Sequence, residues 1–418
     1  MLECRDTFWN ATPRIPTGRN PINRAQSEET FRCQDSRLDE VSSEPAPLRI
    51  FAHNGGSTWG GGEMALTDLL VALASRGHEV ILLCNRRVVA DAARARGVET
   101  RLLRLGGDLA IHNALRLALT LRRERSDVLI VGTFKKLWLA ALAARIAKVP
   151  KLVARIGLSS DTPRNFKYRF VLRRWVDHVV FIAETMRRSY AEAIPELSDR
   201  LTTIYKAVPA LGPRIPKETA RRALGLPIDA PVLGSVSRLV SQKRLDRLLE
   251  SIVYLHEEVH LVLAGDGPLR GALGQHVLRL GLQGRVHFLG YQENIAPLMD
   301  SVDALVIASD REGMSGAMLE ALSRGVPVIS TDVSGAREAL EPGEEGPAPG
   351  LVTGFAPPQI ASALNTVLYD RQLLREMGRA AERRYKELFS YEGMLDGWEA
   401  VLYGRSSNSG VEARSALS

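Results

Sequence analysis

ALVIASDREGMSGAMLEALSRGVPVIST, residues 304–331, sets two apolar runs on either side of a glycine-containing loop and a short helix. ALVIAS and VPVIST have the length and continuous hydrophobicity of buried strands, and Gly325 closes the helix between them. Two predominantly apolar strands joined by a helix fit a parallel sheet covered on both faces. Ser315 is expected to cap a helix that begins near Gly316 and buries Met318, Leu319 and Leu322. Glu312 then lies in the loop at the strand's carboxyl end, and Glu320 a little over one turn into the helix. The backbone N–H groups around Gly313, Met314, Ser315 and Gly316 form a helix N-terminus, which is a natural seat for phosphate. On residue types alone, Glu312 either complements the helix dipole or faces a ligand. Glu320 is either solvated or accepts hydrogen bonds from hydroxyl groups.

The same grammar runs through the chain. LRIFAHN (48–54) leads into the loop GGSTWGGG (55–62), a helix over 63–77 stopped by Gly77, and the strand HEVILLC (78–84). Further strands are expected at 127–132, 150–156 and 178–183. A proline-rich connection, KAVPALGPRIPKE (206–218), separates this series from a second one. Its strands are expected at 231–238, 260–265, 286–290, 304–309 and 326–331. The expected fold is therefore α/β, with two doubly wound Rossmann-like parallel-sheet domains and a cleft between them. The boundaries are 47–210 for the first domain, 211–389 for the second, and 390–404 for a final helix. Residues 1–46 and 405–418 are polar and without periodicity, and are expected to be disordered tails.

Composition narrows the class. The 418 residues include 3 cysteines, Cys4, Cys33 and Cys84, with neither disulfide nor zinc-site spacing. No apolar run reaches the roughly 20 residues of a membrane span. Charge is uneven: in residues 48–210, 27 Lys and Arg stand against 14 Asp and Glu, whereas residues 211–404 hold 20 against 25. A basic first domain fits an anionic membrane surface, a phosphorylated substrate or nucleic acid. DTPRNFKYRFVLRRWVDH (161–178) interleaves cations with aromatics, but no nucleic-acid motif accompanies it, so no nucleic-acid partner is expected.

SRLVSQKRLD places Arg238 and Lys243 at the end of the second domain's first strand, where two cations suit a diphosphate. Together, GSVSRLVSQKRLDRLLES, LVLAGDGPLRGAL, RVHFLGY and SDREGMSGAMLEALSRGVPVISTDVSGAREAL closely resemble the nucleotide-binding domain of family 4 retaining glycosyltransferases of the GT-B fold. GGGEMALTDLLVALASRGHEVILLC resembles the same family's N-terminal loop, helix and strand. The resemblance covers about 48–404.

It implies a retaining, metal-independent glycosyltransferase with no cofactor, moving a sugar from a nucleotide-diphosphate donor. Glu320 would bind the ribose hydroxyls and Glu312 the transferred sugar. Arg238 and Lys243 would neutralise the leaving diphosphate. Gly60 and Gly61 would approach donor and acceptor, Gly313 and the N–H groups after it would hold the terminal phosphate, and Tyr291 would lie near the base. The implied acceptor is a glycan or lipid-linked glycan of the cell-envelope or lipopolysaccharide type. The implied location is cytoplasmic, at the inner face of the membrane.

Two positions depart from the family. PKLVARIGLSSD carries Arg155, Ile156 and Gly157 where an acceptor-side histidine is common, and VGTFKK also lacks it. His53, Lys135 or Lys136, and Arg155 are the acceptor-side candidates that remain. Lys206 stands where asparagine is common. A non-catalytic sugar-nucleotide-binding protein is the main alternative. A nicotinamide-dependent oxidoreductase fits less well, because GGSTWGGGE does not follow Gly-x-Gly-x-x-Gly.

Overall fold

The computed structural model describes residues 45–106, 110–132, 136–157, 166–209, 211–343 and 346–405. Most of both expected tails, Lys135 and residues 161–165 lie outside them. The first sheet contains β1 (Arg49–Asn54), β2 (Glu79–Cys84), β3 (Glu99–Leu102), β4 (Val128–Val131), β5 (Lys151–Ile156), β6 (His178–Phe181) and β7 (Leu201–Thr203). Between them run α1 (Gly61–Ser75), α2 (Arg87–Arg94), α3 (Ile111–Arg123), α4 (Leu137–Ala147), α5 (Phe166–Arg174) and α6 (Glu184–Ala193). All strands are parallel, in the order β3-β2-β1-β4-β5-β6-β7.

The second sheet follows α7 (Lys217–Ala223). Its strands are β8 (Val232–Val236), β9 (His260–Ala264), β10 (Val286–Gly290), β11 (Ala304–Ile307), β12 (Val328–Thr331) and β13 (Gly350–Thr353), parallel in the order β10-β9-β8-β11-β12-β13. Its helices are α8 (Leu245–Ile252), α9 (Arg270–Arg279), α10 (Ala296–Ser301), α11 (Gly316–Ser323), α12 (Ala336–Leu340), α13 (Pro357–Leu368) and α14 (Arg371–Leu388), and the chain ends in α15 (Tyr391–Tyr403). Two parallel sheets wrapped by helices make the doubly wound, two-domain α/β architecture expected from the sequence.

Burial explains the strands. β1, β4 and β11 are buried over nearly their whole length, so both faces demand apolar side chains. Alternate residues then choose opposite layers. Phe51 packs with α3 and α4, whereas Ile50 and Ala52 pack with α1, α2 and α15. From α15 come Met394, Leu395, Trp398, Val401 and Leu402, all buried in the first domain's core. Lys151 Nζ donates to the carbonyls of Val401 (2.7 Å) and Leu402 (2.9 Å), and Arg76 pairs with Glu392 and Asp396. The last helix thus belongs spatially to the first domain.

α1 begins at Gly61, two residues before the start read from the sequence. Gly60 takes the N-cap position in extended backbone, and Gly61 and Gly62 enter the first turn. The other end behaves as written, with Gly77 left-handed at φ +89° beyond the helix.

Candidate active site

Both sheets reverse their strand order once, between β1 and β4 and between β8 and β11. A crevice opens at the carboxyl ends of the strands at such a point, because the loops there diverge to opposite faces. The loops in question are 55–60 after β1, 237–244 after β8 and 308–315 after β11. They carry the glycine-rich stretch, Arg238 with Lys243, and Glu312.

The last two loops are tied together. Asp310 N donates to the Gln242 carbonyl (3.0 Å), and Gln242 Nε2 donates to the Arg311 carbonyl (2.8 Å). Arg247, nearly buried on α8, donates to the Ala308 carbonyl (3.0 Å) and to Asp310 Oδ1 (2.8 Å). On this scaffold Lys243 Nζ forms an ion pair with Glu312 Oε1, which also accepts from Ser309 Oγ at 2.8 Å. The carboxylate is thereby fixed in one orientation and not left to swing in solvent.

Ser315 is the N-cap residue of α11, but its side chain makes no capping hydrogen bond. This corrects the expected hydroxyl cap: only its carbonyl engages the helix, accepting from Leu319 N at 3.2 Å. The hydroxyl therefore leaves the first-turn N–H groups of α11 unclaimed. Met318, Leu319 and Leu322 are buried as the spacing required.

Glu320 is partly buried on the same helix. Burial raises its carboxyl above the ordinary value of 4.5; Lys206 opposes that rise and Asp68 adds to it. Lys206 comes from the connection after β7. Burial lowers its ammonium, and the carboxylates of Glu320 and Asp68 pull it back up. Its Nζ stands at the start of α11, 2.8 Å from where a Cβ on Gly316 would lie. The sequence marked Lys206 only as a departure from pattern; its reach to the second domain could not be read from position alone.

Three more contacts cross the cleft. A Cβ on Gly60 would come within 3.3 Å of the Arg238 guanidinium, so glycine there lets the exposed Arg238 approach the first domain. Gly313 is buried against the Gly157 carbonyl and Ile182. Glu338, on α12, caps a helix of the other domain: its carboxylate accepts from Glu184 N and Thr185 N at 2.7 Å each, at the N-terminus of α6. Sequence reading missed Glu338, since its partner lies 154 residues away.

The remaining candidates separate. Tyr291 is exposed beyond β10, whereas Met314 is buried and packs on Gly335. Lys136 donates to the Gly106 carbonyl. His53 is fully buried, neither ring nitrogen has a hydrogen-bond partner, and desolvation and then Lys136 lower its pKa to about 4. It is enclosed and does not open to the cleft, which corrects its expected place; its side of β1 is the packed layer of Phe51. Arg155 is 6% exposed at the end of β5, and burial lowers its guanidinium to about 10, with Asp68 and Glu63 opposing. Among the described residues no helix is long and apolar enough to cross a membrane.

Comparison with known proteins fits this geometry. Residues 216–384 match the family described as Glycosyl transferases group 1, and residues 59–210 match Glycosyltransferase Family 4. The lipopolysaccharide core biosynthesis glycosyltransferase LpsE of Rhizobium meliloti is 30% identical over 353 residues, 82% of this chain and 96% of its own. An N-acetyl-alpha-D-glucosaminyl L-malate synthase of Bacillus anthracis is 26% identical over 375 residues, 82% of this chain and 94% of its own. Among solved structures, Anabaena HepE in complex with UDP superposes with a TM-score of 0.75 at 21% identity, covering 85% of this chain and all of that one. A Rickettsia africae glycosyltransferase gives 0.74 at 17% identity, covering 87% of this chain and all of its own. With both sheets, both sets of cleft loops and both family matches in agreement, the chain belongs to the family 4 glycosyltransferases of the GT-B fold.

Proposed function

We propose that this glycosyltransferase takes its sugar from a nucleotide-diphosphate donor and transfers it with retention, without a metal ion, to a cell-envelope glycan or lipid-linked acceptor. The observation that carries the reading is the Lys243–Glu312 ion pair beside the open first turn of α11, with Arg238 reaching toward Gly60. As the bond from the anomeric carbon to the diphosphate breaks, the electron pair passes to the diphosphate oxygen. Lys243, Arg238 and the α11 N–H groups stabilise that charge. Glu312 holds the sugar, Glu320 accepts from the ribose hydroxyls, and a diphosphate oxygen takes the acceptor's proton. HepE is described in complex with UDP-glucose, and LpsE as a lipopolysaccharide core enzyme, which supports this donor class and acceptor class.

A surface on the first domain supports a membrane-anchored acceptor. Ile111, Leu115 and Leu119 are each about half exposed and form one stripe along α3, beside exposed Arg116, Arg122 and Arg123. On α5, Phe166 and Phe170 are exposed among Arg169, Arg173 and Arg174. Apolar side chains flanked by cations are the chemistry of docking on anionic lipid.

A thermal-shift panel of UDP-, GDP- and ADP-sugars tests the donor. One nucleotide series should raise Tm, and Arg238→Ala should weaken nucleotide and donor together. Unchanged affinity in that variant removes Arg238 from the diphosphate site. Flotation with anionic and neutral vesicles tests the surface, and equal binding to both would end the membrane reading.

A further inference from the structure

Arg155 and Lys206 raise a question the donor site does not answer. Along β5, Ala154 and Ile156 join the layer that contains α3 and α4, while Val153 joins the layer of α1 and α15. Arg155, alternating with Ala154 and Ile156, turns to the α1 and α15 side at the strand's carboxyl end. Its guanidinium is almost wholly enclosed, yet among the described residues it makes no hydrogen bond and no ion pair. Two carboxylates, Asp68 and then Glu63, act on it only through space. Asp68 pairs with Arg96 at 2.6 Å, and the Glu63 carboxylate lies under the backbone of the glycine-rich loop beside Gly56.

Lys206 is half-buried and makes no hydrogen bond or ion pair among the described residues, but the carboxylates of Glu320 and then Asp68 act on it through space. Both cations open into one small cavity, whose lining also includes Asp68, Tyr205, Met394 and Trp398. An enclosed cation such as Arg155 without a bonded partner is costly, and a second cation beside it adds to the cost. Proteins retain such an arrangement where an anion arrives to complete it.

Position decides which anion. The Arg155 guanidinium lies 3.7 Å from a Cβ position on Gly157, and the Gly157 carbonyl packs on Gly313, the residue after Glu312. The pair is thus next to the sugar end of the proposed donor and on the first-domain wall. The diphosphate cations, Lys243 and Arg238, come from the loop after β8.

We propose that Arg155 and Lys206 form an anion-binding subsite that receives a carboxylate or phosphate group carried by the acceptor. This rests on the donor reading above. The acidic group anchors the acceptor while a neighbouring hydroxyl meets the sugar held at Glu312, and the two residues act as positioning residues.

The test titrates inorganic phosphate and malonate into the full chain by calorimetry, with and without saturating UDP. At least one anion should bind saturably, remain bound in the presence of UDP, and lose tenfold or more in affinity in Arg155→Gln and in Lys206→Asn. Those variants, measured without anion, should melt no lower than the parent, since each relieves the repulsion between two cations brought together. Absence of saturable binding by both anions overturns the subsite. Displacement of the anion by UDP assigns the cations to the donor diphosphate and overturns the acceptor role. A marked fall in Tm in both variants makes the residues structural and overturns it too. The same calorimetry with UDP alone reports on the donor reading: failure of UDP to bind, with anion binding intact, would count against that reading while the subsite stands.

Discussion

Gly313 lies directly against the Gly157 carbonyl, so that the loop carrying Glu312 in one domain meets the end of β5 in the other. A methyl group at position 313 would collide with backbone, which cannot rotate away as a side chain can. Gly313→Ala should therefore hold the domains apart. Turnover is expected to fall at least tenfold, nucleotide affinity to fall much less, and the radius of gyration in small-angle scattering to rise. An unchanged scattering profile would show that the contact does not govern closure.

Glu312 is held by Lys243 and Ser309, so its carboxylate is oriented before any ligand arrives. Glu312→Gln keeps the shape and removes the charge. Turnover should drop by at least ~10²-fold, the scale of losing one positioned group in the transition state, while UDP affinity changes little. Near-normal turnover would sink the assignment of Glu312 to the reacting sugar.

Glu338 accepts from two backbone N–H groups across the cleft. Replacing it with alanine leaves the first turn of α6 without that partner, a loss of about 1–3 kcal/mol. Denaturant unfolding of Glu338→Ala should show this loss, and Glu338→Gln, which can still accept one bond, should recover part of it. Equal stability of Ala and wild type would mean water replaces the carboxylate without penalty.

His53 predicts an acid limit. Burial holds its pKa near 4 in the folded protein against 6.5 in the unfolded chain. Between those values the unfolded state binds more protons, so stability rises with pH and is lost as pH falls from about 6.5 to about 4. The full effect is on the order of 3 kcal/mol. His53→Leu removes two unsatisfied ring nitrogens, so it should be as stable as the parent at pH 7 and lose less on acidification. Urea unfolding at several pH values decides this; parallel profiles for the two proteins would exclude His53 as the source.

The central strands could be read from sequence because burial on both faces leaves an unbroken apolar run, as in ALVI of β11 or VLIV of β4. Three strands escaped. β3 (ETRL), β7 (LTT) and β13 (GLVT) are each the last strand at an edge of a sheet, short and only partly covered, so no such run marks them. The site divides the same way. Lys243, Glu312 and the α11 start are brought together by neighbouring loops of one sheet, where spacing carries the information. Glu338 and Lys206 gain their meaning from the opposite domain, and the pattern around each residue holds no record of that partner.

α15 places the final described helix in the core of the first domain, against residues as early as Ile50. During synthesis that core waits, with the surface for Trp398 and Leu402 uncovered, until the whole second domain has been made. At ordinary elongation rates the delay between β7 and α15 is roughly 10–40 s. The second domain, which needs nothing from upstream to finish its sheet, folds into this interval. The half of the enzyme that is made first is completed last, and a chain cut short before residue 391 would expose its defect in the N-terminal domain.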